Sequence, residues 1–334
     1  MNNHFFRMFS HVYCEKDALE YDLAQSILNA LPEAKIILVN HYKDFFNRPG
    51  QSFSQQKKSR KLVLAVKKDR FLYEGSPLCH GLDNYSFYYT APVINCIYDC
   101  EYCYLQGIYP SANLVAFVNT EDFFNAVVEK LEDGPLYLPV SYDTDLLALE
   151  KMLGLCRRWI GFAGEHKELF IEIRTKSAAY GLIRDIPAAG NVLLSWTFSP
   201  DSAVKLFEHG TPSFKQRLTA ASCAIRDGWK VRICIDPVLL YDNWNNSYKN
   251  MIDEIFDSLK PEQVFDAVIG SFRVPSDALK KMRRNNPLST LVYYPFNTEN
   301  YISSYPDDIE KRLIESIFSN LARYMPENKI KILT

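Results

Sequence analysis

Asn95-Cys96-Ile97-Tyr98-Asp99-Cys100-Glu101-Tyr102-Cys103-Tyr104 brings three cysteines into eight residues with the spacing C-x3-C-x2-C. The stretch follows Ser86–Ala91, an aromatic-rich run that reads as a strand. Thiolates are soft ligands, and a loop of this length wraps three of them around one face of an iron–sulfur cubane. Three protein ligands leave the fourth iron open to a substrate or cofactor. A zinc site would ask for a fourth Cys or His at matching spacing; His80 lies sixteen residues before Cys96, and there is no second C-x2-C. Three unrelated buried thiols would not need this spacing. The expectation is a [4Fe–4S] cluster on Cys96, Cys100 and Cys103.

Outward from this loop, strand-like and helix-like runs alternate. Ser86–Ala91, Tyr137–Val140, Leu169–Ile173, Val192–Phe198, Val231–Ile235 and Ala267–Ile269 read as strands. Thr120–Leu131, Asp145–Gly161, Ala178–Ile183, Pro212–Asp227 and Asn246–Leu259 read as helices between them. Six βα pairs in series imply a parallel sheet closed into a barrel or part of one. Before residue 86, a helix over Ala18–Leu31 and strands at Lys35–Asn40 and Leu62–Lys67 make a small α/β unit, and NRPGQSFSQQKKSR (47–60) reads as a polar loop. After residue 287 come Tyr293, Tyr294, Phe296, Tyr301 and Tyr305, and then a helix at Asp307–Tyr324. The expected division is 1–85, an N-terminal α/β subdomain; 86–287, the barrel; and 288–334, an aromatic loop and helix.

The chain has 334 residues, 47% hydrophobic and 23% charged, which suits a packed core rather than disorder. A net charge of −2 argues against gripping nucleic acid by overall charge. A nucleic-acid site would need a local patch such as Lys57, Lys58, Arg60 and Lys61, although a short basic run is more often a solvated face. The N-terminus lacks the apolar core of a secretory signal, and no stretch is apolar for long enough to span a membrane. The expectation is a soluble, cytoplasmic protein without a membrane partner, its eight cysteines kept as thiols.

C-x3-C-x2-C with an aromatic before the last cysteine, here Tyr102, resembles the signature of radical S-adenosylmethionine (radical-SAM) enzymes. The resemblance implies a partial (β/α)6 barrel and reductive cleavage of S-adenosylmethionine at the open iron to a 5′-deoxyadenosyl radical. It also implies an electron donor such as flavodoxin or ferredoxin. Further stretches resemble the spore photoproduct lyase family: Tyr102–Gln106, ALEYDLAQ (18–25), NRPG (47–50) and Phe117-Val118-Asn119. The HGT stretch leading to Arg217, Ile235-Asp236-Pro237-Val238, Trp244 and Lys329-Ile330-Lys331 extend the match along nearly the whole chain. That family repairs the thymine dimer of ultraviolet-irradiated spore DNA: the radical takes a hydrogen from the lesion, the bridge breaks, and a protein thiol returns a hydrogen.

By this resemblance Cys96, Cys100 and Cys103 hold the cluster, and Thr144, Lys176 and Thr197 line the S-adenosylmethionine pocket. Tyr102 and Tyr104 match tyrosines near the radical. Two stretches depart from the family. Its hydrogen-donating Ser-Cys-Thr-Ser-Asp reads Ser141-Tyr142-Asp143-Thr144-Asp145 here, so Tyr142 replaces the thiol. Cys79, in the segment 76–80, is the other candidate donor; its bland reading is a small buried hydrophobe. Second, the stretch YYPFNTENYISSY (293–305) has no basic residue where the family has an Arg- and Lys-bearing hairpin that wedges into DNA. Tyr301 and Tyr305 are the candidate stacking wedges in its place. The readings are a lyase acting on a thymine dimer in DNA, a radical-SAM relative acting on a peptide, small molecule or other nucleic acid, or a non-catalytic iron–sulfur protein.

Overall fold

Strand runs rich in Leu, Ile, Val and Phe bury both faces, as parallel strands covered on each side must. Leu169–Thr175, for example, has six of its seven residues buried. The computed structural model describes residues 9–75 and 81–333. Six parallel strands build a curled half-barrel: β1 (Ser86–Tyr89), β2 (Leu136–Pro139), β3 (Leu169–Thr175), β4 (Val192–Thr197), β5 (Lys230–Val238) and β6 (Val264–Ser271). They lie side by side in chain order. A seventh parallel strand, β7 (Ile330–Leu333), pairs with β6, and Tyr73–Glu74 adds an antiparallel edge to β1.

A second sheet stands beside the first, in the order Lys35–Val39, His11–Glu15, Leu62–Ala65, Leu114–Phe117 and Val93–Ile94. Its last two strands come from beyond residue 85, and β7 comes from beyond 287, so the segments 1–85, 86–287 and 288–334 share sheets.

The expected strands are present within a few residues, and the helices Thr120–Leu131, Phe214–Arg226, Trp244–Ser258 and Asp307–Ala322 stand where periodicity places them. Several segments differ. The helix expected over Asp145–Gly161 is two helices, Leu146–Leu153 and Leu155–Glu165, because Gly154 takes a left-handed φ of 62° between them. Ala178–Ile183 makes only a 3-10 turn at Ala179–Leu182. The polar stretch 47–60 contains a helix, Phe53–Lys58, capped by the Ser52 hydroxyl and anchored by buried Phe53. Helix Ser276–Asn285 has few apolar residues, and sequence periodicity misses it.

Inside the half-barrel, Tyr137, Phe170 and Leu193 form a small apolar cluster of their own. Beside it lies a buried polar network. Arg232 on β5 donates to Asp266 at 2.6 and 2.8 Å, to Glu172 at 3.2 Å and to the Tyr137 hydroxyl at 3.1 Å. Burial works against the Glu172 carboxylate, yet Arg232 and then Arg174 hold it below its ordinary range. The network bonds β2, β3, β5 and β6 to one another across the interior. Replacing Arg232 by Ala strands two buried carboxylates and should cost about 3–5 kcal/mol, read as a lower urea midpoint at unchanged slope.

Candidate active site

The cysteine loop leaves the strand Val93–Ile94 through Asn95, which sits at a φ of 69°. The Asn95 amide donates to the carbonyls of Ser111 and Asn113, both at 2.7 Å, and so fixes the entry. Arg60 donates to the carbonyls of Ile97 and Tyr98. Asp99–Cys100 pairs antiparallel with Glu208–His209, tying the loop to the segment after β4. Gln106, in the short helix Leu105–Ile108, donates to the Cys100 carbonyl at 2.6 Å and accepts from Lys57 and Asn286. Lys57 also pairs with Asp99. In the basic run at 57–61, Lys57 and Arg60 therefore hold the cysteine loop, Lys61 bonds Ser10 and Ser59 near the surface, and Lys58 is exposed. A solvated face is the expected reading, and Lys57 and Arg60 depart from it.

Cys96, Cys100 and Cys103 lie within electrostatic reach of one another. Burial most raises Cys96, to about 12, with Asp145 and Cys103 adding to it. Burial also raises Cys100 well above its usual range, while Lys176 acts in the opposite sense. Among the described residues no three His, Cys, Asp or Glu side chains converge on a single metal ion. A cubane distributes its three ligands over three separate irons and needs a wider set, so a loop of three thiols bordered by Lys57, Arg60 and Lys176 suits it.

Thr144, Lys176 and Thr197 follow or end β2, β3 and β4, so three neighbouring strands deliver them to the C-terminal edge of the half-barrel. Asp145 links two of these strand ends. Its carboxylate accepts from Thr175 Oγ1 and from the Lys176 backbone, both at 2.7 Å, and caps the next helix through Ala148 at 3.0 Å. The Lys176 ammonium stands 5.4 Å from the centre of the Tyr102 ring. The Thr144 hydroxyl is buried, and among the described residues it has no hydrogen-bond partner. Such a group asks for a ligand or water.

The two tyrosines beside Cys103 point to different carboxylates. Tyr102 donates to Glu208, which is fully buried and paired with Arg217. Tyr104 donates to Asp143 Oδ1 and to the Tyr142 carbonyl, both at 3.1 Å, and Tyr109 donates to the other Asp143 oxygen at 2.5 Å. Burial, the largest influence, raises the Asp143 carboxyl against these bonds. Tyr142 stacks on Tyr89 with ring centres 4.0 Å apart and meets Tyr104 edge-on at 6.4 Å. Tyr104 thus joins Tyr142, whereas the Tyr102 hydroxyl is engaged elsewhere. Cys79 lies outside the described residues. Tyr305 is 1% exposed and its hydroxyl accepts from the Leu240 backbone, so it is a packing residue and not a wedge. Tyr301 is 84% exposed.

Sequence reading missed Glu208, Asp143 and Asp145. Glu208 was within reach, since it stands immediately before the His209-Gly210-Thr211 stretch that resembles the family. Asp143 and Asp145 stand in Ser141–Asp145, one of the two stretches that depart from it.

A parallel half-barrel with a three-cysteine loop at the C-terminal edge of its strands defines a radical-SAM enzyme. The family model for spore photoproduct lyase matches residues 7–334, and the chain belongs to that family. It is 24% identical to the spore photoproduct lyase of Clostridium acetobutylicum, over 98% of this chain and 99% of the relative. Identity to the Bacillus subtilis enzyme is 23%, over 97% of each. A solved spore photoproduct lyase mutant with bound AdoMet and dinucleoside spore photoproduct superposes with a TM-score of 0.83 at 19% identity, covering 98% of this chain and 99% of the other, which shows a shared fold.

Proposed function

We propose that the protein repairs the thymine dimer known as spore photoproduct in DNA, using a [4Fe–4S] cluster on Cys96, Cys100 and Cys103 together with S-adenosylmethionine. One observation carries the reading: the cysteine loop stands beside Lys176 and the unpartnered hydroxyl of Thr144, at the strand ends where barrel sites are built. A related structure with AdoMet and the dinucleoside lesion supports it. When bound, the cluster and S-adenosylmethionine supply a 5′-deoxyadenosyl radical, with an electron from a donor such as flavodoxin or ferredoxin. Lys176 would meet the methionine carboxylate or a ribose hydroxyl, and Thr144 and Thr197 would give S-adenosylmethionine further polar contacts. Tyr142 gives its phenolic hydrogen to the product radical, closing a C–H bond and leaving the unpaired electron on its own oxygen. Tyr104, against the Tyr142 backbone and Asp143, is the next hydrogen in line. Cys79 is the competing donor.

The direct test is anaerobic reconstitution followed by reductant, S-adenosylmethionine and dinucleoside spore photoproduct. Conversion of the lesion back to its two thymidine residues and roughly four irons per chain are expected; a loaded enzyme that cleaves the cofactor yet leaves the lesion intact refutes the substrate. Lys176→Ala should keep its iron and bind S-adenosylmethionine more weakly by roughly 1.5–3 kcal/mol, the range for a hydrogen bond to a charged group; equal dissociation constants would remove Lys176 from the pocket. In deuterated water, wild-type product should gain deuterium. Tyr142→Phe should lose that label and accumulate by-products, whereas loss in Cys79→Ala alone would assign the return to the thiol.

A further inference from the structure

The backbone of Lys176 is fixed, but its long side chain still has to be aimed. Its backbone N–H donates to Asp145 at 2.7 Å, and the carbonyl of the next residue, Ser177, accepts from the buried Trp196 ring at 3.0 Å. Beyond the backbone, four methylenes carry a compact charge that has no preferred direction of its own. Among the described residues the ammonium forms no ion pair within contact distance. It stands over the Tyr102 ring, 5.4 Å from the centre.

That ring is held on every side. Tyr102 is buried, and its hydroxyl donates to Glu208. Glu208 is fixed in turn by the Ser199 hydroxyl at 2.8 Å and by Arg217, which also donates to the Thr197 carbonyl at 3.1 Å. Backbone bonds tie the two segments together: Glu208 pairs with Cys100, and the Glu101 N–H donates to the Phe207 carbonyl at 2.8 Å. A phenol that donates to a carboxylate has a ring face richer in electrons, and a cation is drawn to such a face. Lys176 also lies within electrostatic reach of Glu208 itself. Both attractions pull the ammonium toward Tyr102, at the strand ends where Thr144 and Thr197 stand.

Resting on the reading of Lys176 as a contact of S-adenosylmethionine, we propose that Tyr102 is the positioning residue of that pocket. Its ring, braced by Glu208 and Arg217, holds the Lys176 ammonium where the polar end of the cofactor arrives. The freedom of the lysine stem is then given up before the cofactor binds, and a contact prepared in this way gains affinity. A hydrogen carrier at this position would need its hydroxyl turned toward the substrate, whereas this hydroxyl is committed to Glu208.

Equilibrium dialysis of S-adenosylmethionine against the anaerobically reconstituted enzyme tests this, with iron content and the EPR spectrum of the reduced cluster measured in the same samples. Tyr102→Phe, followed by mono-, di- and trifluorinated phenylalanine at the same position, keeps the shape of the ring while withdrawing charge from its face. Tyr102→Phe should stay within roughly threefold of wild type, and the dissociation constant should then climb with each fluorine, roughly 3- to 30-fold over the series. Iron content should not change. In a Lys176→Ala background the same series should have no effect, because the two residues act as one unit. A flat series in fully loaded enzyme that keeps Lys176 overturns the inference, and so does a series equally steep without Lys176. Iron lost already in Tyr102→Phe makes the residue a brace of the cysteine loop and overturns it as well. Wild-type affinity in Lys176→Ala removes the pocket reading and this inference with it. A flat series beside a weakened Lys176→Ala leaves the pocket reading standing and removes Tyr102 alone.

Discussion

Gln106 bears the constraint on which the site depends. A loop that presents three thiols to one cluster cannot also run as a regular ladder, so its backbone groups need partners one by one. The Gln106 amide donates to the Cys100 carbonyl, its oxygen accepts from Lys57 and Asn286, and its own carbonyl accepts from Asn285 at 2.9 Å. One side chain therefore joins the loop to helix Phe53–Lys58 and to helix Ser276–Asn285, elements separated by more than half the chain. Arg60 and the Glu208–His209 ribbon complete the support from the other side. A one-atom drift in any of these would move a ligand, and a preorganised site tolerates little of that.

The frame was legible because its signals are local. Leu169–Thr175 and Val192–Thr197 are short apolar runs with turn residues on either side, and three cysteines at fixed spacing mark a ligand loop. Helix Ser276–Asn285 was not, since its pattern is mostly polar and it stands by packing Ala278 against Gly107 and bonding Asn285 to Gln106. Pairings between distant residues were hidden for the same reason. Nothing local ties Glu208 to Tyr102, or Lys57 to Asp99, until the fold brings them within reach. Charge in a sequence says nothing of direction: in the run 57–61, Lys57 turns to the Asp99 carboxylate and Arg60 to two loop carbonyls, whereas Lys58 stays exposed.

The two tyrosines flanking Cys103 show how one short stretch is divided between support and chemistry. Both donate to buried carboxylates, but the carboxylates differ. Glu208 is locked by Arg217, whose guanidinium also donates to the carbonyls of Thr197 and Pro212 and to the Thr211 hydroxyl. Ser199 donates to Glu208 as well, at 2.8 Å. With its charge and lone pairs so fully engaged, Glu208 anchors Tyr102 and the loop that carries it. Asp143 is held instead by the hydroxyls of Tyr104 and Tyr109, and Lys67 acts on it only from a distance. Burial raises the Tyr104 phenol well above its usual range and Asp143 adds to this, so the phenol keeps its proton beside that carboxylate. Tyr104 is the flanking tyrosine set against Tyr142. Tyr104 and Tyr109 bond the Asp143 carboxylate while Tyr142 stacks on Tyr89 and meets Tyr104 edge-on, so position 142 belongs to an aromatic group built beside that carboxylate.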